Sequence, residues 1–178
     1  MSDIAEDILA QAVELCSPQQ VGAALERMAA EITTRLSGKN PLVLCVMKGA
    51  VVFAGQLLPL LRFPLDFDYM HVTRYRNQTY GGELDWRFFP ESGIAGRDVL
   101  ILDDILDEGH TLAAIRERCL AEGAEAFHSA VLLEKLIDRP KPIAADFVGI
   151  RVPDRYVFGC GMDVNGLWRN LPGIYALR

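Results

Sequence analysis

The 178 residues carry 51% hydrophobic and 24% charged side chains, the balance of an ordinary globular domain and one that excludes a disordered or fibrous chain. At this length one domain buries roughly two thirds of the surface its unfolded chain exposes, so a core forms without disulfide or metal staples. The formal charge of −6 offers no general basic surface to a nucleic acid backbone, and Cys16, Cys45, Cys119 and Cys160 stand far apart with no CxxC pair, as reduced cytosolic thiols do.

The opening Met-Ser-Asp-Ile-Ala-Glu-Asp is acidic where a secretory leader is basic. The longest weakly polar stretch, residues 49–61, contains Gln56 and Pro59, so a cytoplasmic chain with no membrane partner is expected. Ile4, Ile8, Leu9 and Val13 recur at helical spacing, as do Val21, Leu25, Met28, Ile32 and Leu36, which predicts two amphipathic helices in the first forty residues. Ser17-Pro18-Gln19-Gln20 reads as a capping box with proline at the first helical position, and Gly38 as the stop.

From Pro41 the pattern changes. Leu42-Val43-Leu44-Cys45-Val46 is the continuous apolar run of a strand buried on both faces, followed by Lys48-Gly49 and a helix to about Leu61. Leu65, Phe67 and Tyr69 alternate as in a strand, residues 73–82 form a polar loop or hairpin tip, and residues 84–89 are again strand-like. Residues 98–102 form a second buried strand that ends in Asp103-Asp104, with a turn at Gly109 and a helix over about 111–122 that Gly123 closes. Residues 127–133, 147–152 and 156–158 read as further strands, and the tail beyond them as irregular. Strands alternating with helices of this length predict right-handed crossovers and an α/β fold, a mostly parallel sheet with helices on both faces.

Ligands of open parallel sheets bind beyond the carboxyl ends of the strands, where loop amides and helix amino ends face outward. Asp103-Asp104-Ile105-Leu106-Asp107-Glu108-Gly109-His110-Thr111 stands at such an end. Adjacent carboxylates accept hydrogen bonds from the vicinal hydroxyls of a ribose, and the amides of residues 107–111 suit a phosphate, with Gly109 permitting close approach. A bare acidic pair in this position also serves to cap a turn or hold a metal.

The whole string, an apolar run, two acids, two apolar residues, Asp, x, Gly, x, Thr, resembles the phosphoribosyl pyrophosphate (PRPP) loop of type I phosphoribosyltransferases. The resemblance extends from about Leu42 to Tyr175 and is strongest to the hypoxanthine-guanine branch. It implies one domain over residues 1–178, with a core at about 40–150 and a small hood from about 1–20 and 151–178. It also implies a homodimer or homotetramer. Met47-Lys48-Gly49 resembles the pyrophosphate loop, where the peptide before the lysine is often cis. Arg74-Tyr75, with Asn77 and Gly82, resembles the flap that closes over the reacting centre and excludes water. Lys135, after Leu132-Leu133-Glu134, resembles the lysine that meets the purine O6. Residues 152–159, with Gly161-Met162-Asp163 and Trp168-Arg169, resemble the base pocket and tail: Tyr156 would stack on the purine, Val157 would offer its backbone, and Arg169 would face pyrophosphate. Taken singly, Lys48 is also an ordinary turn lysine, Tyr156 a core tyrosine, and Asp163 and Arg169 a surface ion pair.

The resemblance implies transfer of the phosphoribosyl group from PRPP to a 6-oxopurine base, giving a purine nucleoside monophosphate and pyrophosphate. Asp107 would be the general base, and Mg2+ would accompany the substrate near Asp103, Asp104 and Asp163. Two positions depart from the family pattern. Glu108 replaces the usual threonine or serine, so that only its backbone N–H suits a phosphate, and Arg74 replaces the serine before the flap tyrosine. His110 occupies a variable position of the loop. Two other readings exist: a PRPP- or nucleotide-sensing regulator that binds nucleic acid, which the acidic charge disfavours, and a receiver-like phosphoacceptor, which has no use for Lys135, Tyr156 or Gly-x-Thr.

Overall fold

A computed structural model describes residues 2–74, 84–90 and 93–178, with the side chains of residues 2–4 and 74 left aside. The capping box forms as expected: Ser17 Oγ accepts from Gln20 N, and Gln20 Oε1 accepts from Ser17 N, opening a 19-residue helix at Pro18. The two reciprocal bonds satisfy amides that helix geometry leaves without partners.

In chain order the elements are helix α1 (Ser2–Ala10), strand β1 (Ala12–Cys16), helix α2 (Pro18–Leu36), β2 (Leu42–Met47), α3 (Val51–Leu57) with a 3-10 turn at Leu58–Leu60, β3 (Asp66–Arg74), β4 (Leu84–Phe88), β5 (Asp98–Leu106), α4 (His110–Ala121), β6 (Ala126–Leu136), β7 (Phe147–Pro153), β8 (Val157–Phe158) and β9 (Ile174–Leu177). Six strands make the central sheet in the order β4-β3-β2-β5-β6-β7. All neighbours in it are parallel except β3 and β4.

The apolar runs of β2, β5 and β6 are continuous because successive side chains feed two cores. Val43, Cys45, Leu100, Leu102, Ala130 and Leu132 enter the core shared with α2 and α3. Leu44, Val46, Val99, Ile101 and Val131 enter the opposite core, beneath α4. A strand covered on both faces has no solvent side to mark with polar residues. No described helix is long and apolar enough to cross a membrane.

Four expectations change. Val13 leaves the first helix: α1 ends at Ala10, and Val13 lies in β1, opposite Ala176 of β9. The tail read as irregular is that partner strand, so β1, β9 and β8 form a second, three-stranded sheet from the two ends of the chain. Their pairing is non-local, and segments this short carry no readable alternation of their own. The left-handed residue after α2 is Asn40 (φ 44°) rather than Gly38. Finally, β5 runs on to Leu106, because β6 continues beside it through the pairs Asp103↔Val131, Ile105↔Leu133 and Leu106↔Glu134. The acidic pair therefore sits on a strand, and the turn proper is residues 107–109.

Candidate functional site

Parallel strands end at the same edge, so the segments after β2, β5, β6 and β7 gather there. Lys48, Gly49, Asp103, Asp104, Asp107, Glu108, Gly109, Thr111 and Arg169 line one cleft of about 480 Å3. That is the size of a small-molecule site, and charged groups share its lining with apolar side chains such as Val46, Val72 and Leu112.

Asp103 is buried, and the Asp104 N–H donates to its Oδ1 at 3.0 Å. Burial, with the Asp104 charge next, pushes the Asp103 carboxyl well above the ordinary range. Burial also raises Asp104, less strongly because the Asp103 side chain, the Ile105 amide and the Arg169 charge favour its ionised form. Behind the pair, burial and the two acids push the Cys45 thiol up to about 12, so this cysteine is an inert core residue.

Gly49 touches the pair directly: a β-carbon there would overlap the Asp104 carboxylate. The peptide between Met47 and Lys48 is cis, as the family resemblance implied. Gly109 has φ 86° and is the N-cap of α4, with no side-chain cap on the helix. A left-handed backbone at that point favours glycine. The helix amino end is left to face the cleft, where aligned amide dipoles favour an anion.

Glu108 is paired with Arg139, Oε1 to Nη2 at 2.6 Å. Its carboxylate thus has a cation partner at the mouth of the phosphate-like loop. His110 is exposed at the first position of α4. Lys48 is exposed too, at the end of β2.

Lys135 Nζ donates to Asp107 Oδ2 at 2.9 Å and lies 3.8 Å from Asp154 Oδ1. The Lys135 side chain is only 13% exposed. Two residues 28 positions apart in sequence thereby stand side by side at the ends of β5 and β6. Tyr156 is 51% exposed, and its hydroxyl donates to the Asp163 carbonyl at 3.0 Å. Val157, the next residue, is buried in β8. Asp163 accepts from Arg169 Nη2 through Oδ1 and from the Gly166 amide at 2.7 Å through Oδ2, while Arg169 Nη1 donates to Gly161 O at 2.7 Å. Among the described residues no three His, Cys, Asp or Glu side chains converge as a metal site. Tyr75, Asn77 and Gly82 of the expected flap lie outside the described residues, as does the Arg74 side chain.

Sequence reading missed His71, Thr73 and Arg87, which line the cleft from β3 and β4. Only the register between those strands brings them to it. It also missed Arg139 and Lys141, whose sole signal is a charged residue beside each of two prolines just past β6, and it gave Asp154, within the 152–159 segment, no role of its own.

Comparison with known proteins gives a consistent result. The phosphoribosyl transferase domain family matches residues 14–165. The hypoxanthine-guanine phosphoribosyltransferase of Bacillus subtilis is 35% identical over 92% of this chain and 92% of its own length. That of Streptococcus thermophilus is 33% identical over the same shares. A crystal structure of a hypoxanthine phosphoribosyltransferase from Staphylococcus aureus superposes with a TM-score of 0.87 at 30% identity, covering 93% of this chain and 91% of that one. Nothing among these relatives favours the regulatory reading.

Proposed function

This chain belongs to the phosphoribosyl transferase domain family, and from that premise we propose that it is a purine-salvage enzyme, transferring the 5-phosphoribosyl group of PRPP to hypoxanthine or guanine to give IMP or GMP and pyrophosphate. The observation that carries this reading is the Lys135 ammonium held 2.9 Å from the Asp107 carboxylate. A 6-oxopurine presents O6 and N7 along one edge. In the N7–H form of the free base, that edge is an acceptor beside a donor. A lysine donor beside an aspartate acceptor matches it, whereas the amino group of adenine would turn a donor toward an ammonium.

The phosphate of PRPP is assigned to the amides of Glu108, Gly109, His110 and Thr111, and its ribose hydroxyls to Asp103 and Asp104. Lys48, Gly49 and Arg169 face the pyrophosphate. Tyr156 stacks on the base, a contact worth about 0.5–1.5 kcal/mol beyond area burial, and Val157 offers its backbone to the base edge. Arg74 and Tyr75 belong to the closing flap.

Asp107 takes the N7 proton while the purine nitrogen forms its bond to C1 and the bond from C1 to pyrophosphate breaks. Its carboxylate also faces the positive charge that develops on the sugar. Magnesium fits as an ion carried by the substrate: Asp103, Asp104 and Asp163 do not converge as a three-ligand set, but a hard dication takes one or two carboxylates and completes its shell with water and phosphate oxygens. When bound, it neutralises charge on the departing pyrophosphate. The enzyme is assigned to the cytoplasm as a homodimer or homotetramer, for which light scattering should return a mass above that of one 19.7 kDa chain.

The test is ultraviolet-monitored conversion of hypoxanthine and guanine with PRPP and magnesium, for the wild type and Asp107→Asn. The variant is expected to lose about 100- to 10,000-fold in kcat with PRPP affinity little changed. Unaltered turnover would remove Asp107 from the mechanism. Salt-sensitive binding to nucleic acid in place of turnover would favour the regulator.

A further inference from the structure

Beside the two groups assigned to the base lies a half-buried cation that belongs to no motif. Lys141, between Pro140 and Pro142, has a side chain only 13% exposed. Its ammonium donates to the main-chain carbonyls of Leu106 at 3.2 Å and Lys135 at 2.6 Å, and Glu134 Oε1 stands at 3.6 Å. An ammonium has three donors and no acceptor; two of them are bonded to these carbonyls, and Glu134, beyond hydrogen-bond reach, adds an ion pair. Glu134 is itself held from outside by Arg151 Nε at 3.0 Å.

The place of those carbonyls gives them meaning. The ladder between β5 and β6 ends at Leu106↔Glu134. The Leu106 carbonyl belongs to the peptide that leads into Asp107, and the Lys135 carbonyl to the residue whose ammonium grips Asp107. Beyond the last rung, the Lys141 ammonium bridges the main chains of the two strand ends, alongside the Lys135–Asp107 side-chain pair. We propose that Lys141 is a positioning residue for the purine edge, bridging Leu106 and Lys135 so that the Asp107 carboxylate and the Lys135 ammonium stay side by side. The proposal rests on the reading that those two groups meet the base.

The ammonium makes none of its bonds to the acidic pair or the α4 amino end, which serve the sugar phosphate. Only the stem of Lys141 approaches that side: a β-carbon on Gly109 would lie 3.5 Å from Lys141 Cβ and 3.3 Å from Pro142 Cδ. Lys141→Met keeps this stem and removes the charge and the donors. Its effect should therefore fall on the base and spare PRPP.

The experiment measures kcat and both KM values for the wild type, Lys141→Met and Lys141→Gln, with hypoxanthine as the base. For Lys141→Met, kcat/KM for hypoxanthine is expected to fall about 100-fold, as misplacement by an ångström does, with KM for PRPP within about threefold of wild type. Lys141→Gln, which keeps an N–H donor, should show the same split with a smaller loss, and it decides the matter alone if the methionine variant does not fold. A KM for PRPP raised as far as the KM for hypoxanthine, or no loss at all, would overturn the proposal. A wild type that converts no 6-oxopurine would instead overturn the functional reading beneath it.

Discussion

Asp103 is where the site opposes the stability of the fold. Its carboxyl is buried beside a second acid and titrates well above the ordinary 3.8. Below 3.8 the folded and unfolded forms are both protonated and the group costs nothing. As pH rises from there through the raised folded value, the unfolded chain ionises first, so stability is progressively lost. Asp103→Asn removes that charge and keeps an acceptor for the Asp104 amide, which donates to Asp103 Oδ1. The variant should melt above the wild type at pH 8, by about 2–4 °C for each kcal/mol relieved, with the gap closing toward pH 4. Parallel melting curves across that range would contradict the burial argument. Retaining such a residue is understandable if two ribose hydroxyls are its intended partners.

Among the elements lining the cleft, the turns after β2 and β5 meet where Gly49 packs on Asp104. Gly49→Ala must displace the carboxylate that its β-carbon would overlap. The expected result is a KM for PRPP raised about 10- to 100-fold, since a misplaced binding group of this kind costs on the order of 1.4–2.7 kcal/mol. Unchanged PRPP kinetics would show that the contact yields freely. Both turns were legible in the sequence because local chemistry sets them: an apolar run, then Lys48-Gly49 or Asp107 to Thr111, with glycine where a side chain does not fit. The extension of β5 to Leu106 was not legible, because the β6 residues opposite it decide that pairing. Val13 failed in the same way, becoming part of a strand through a partner about 160 positions distant, and Ile174 to Leu177 pair both with it and with β8. Lys141 escaped notice because its role depends on two carbonyls, and sequence does not show where carbonyls point.

The whole molecule divides its polar burial by end. At the amino ends of the strands, Asp98 meets His128 at 3.1 Å and Lys39 at 3.7 Å, and Asp146 accepts from the Ser129 amide at 2.9 Å. These pairs tie neighbouring strands together, with His128 Nδ1 buried and without a hydrogen-bond partner. At the carboxyl ends, the acids, glycine amides and Arg169 face an open cleft of about 480 Å3. On the proposed reading this edge grips a purine nucleotide along its length, phosphate at Gly109, pentose at Asp103 and Asp104, and base between Tyr156 and Lys135. The most direct measurement is the crystal structure of the protein with IMP. The phosphate should lie on the amides of residues 108–111 and O6 within hydrogen-bond distance of Lys135 Nζ; a nucleotide bound at any other surface, with this cleft holding only solvent, would refute the assignment.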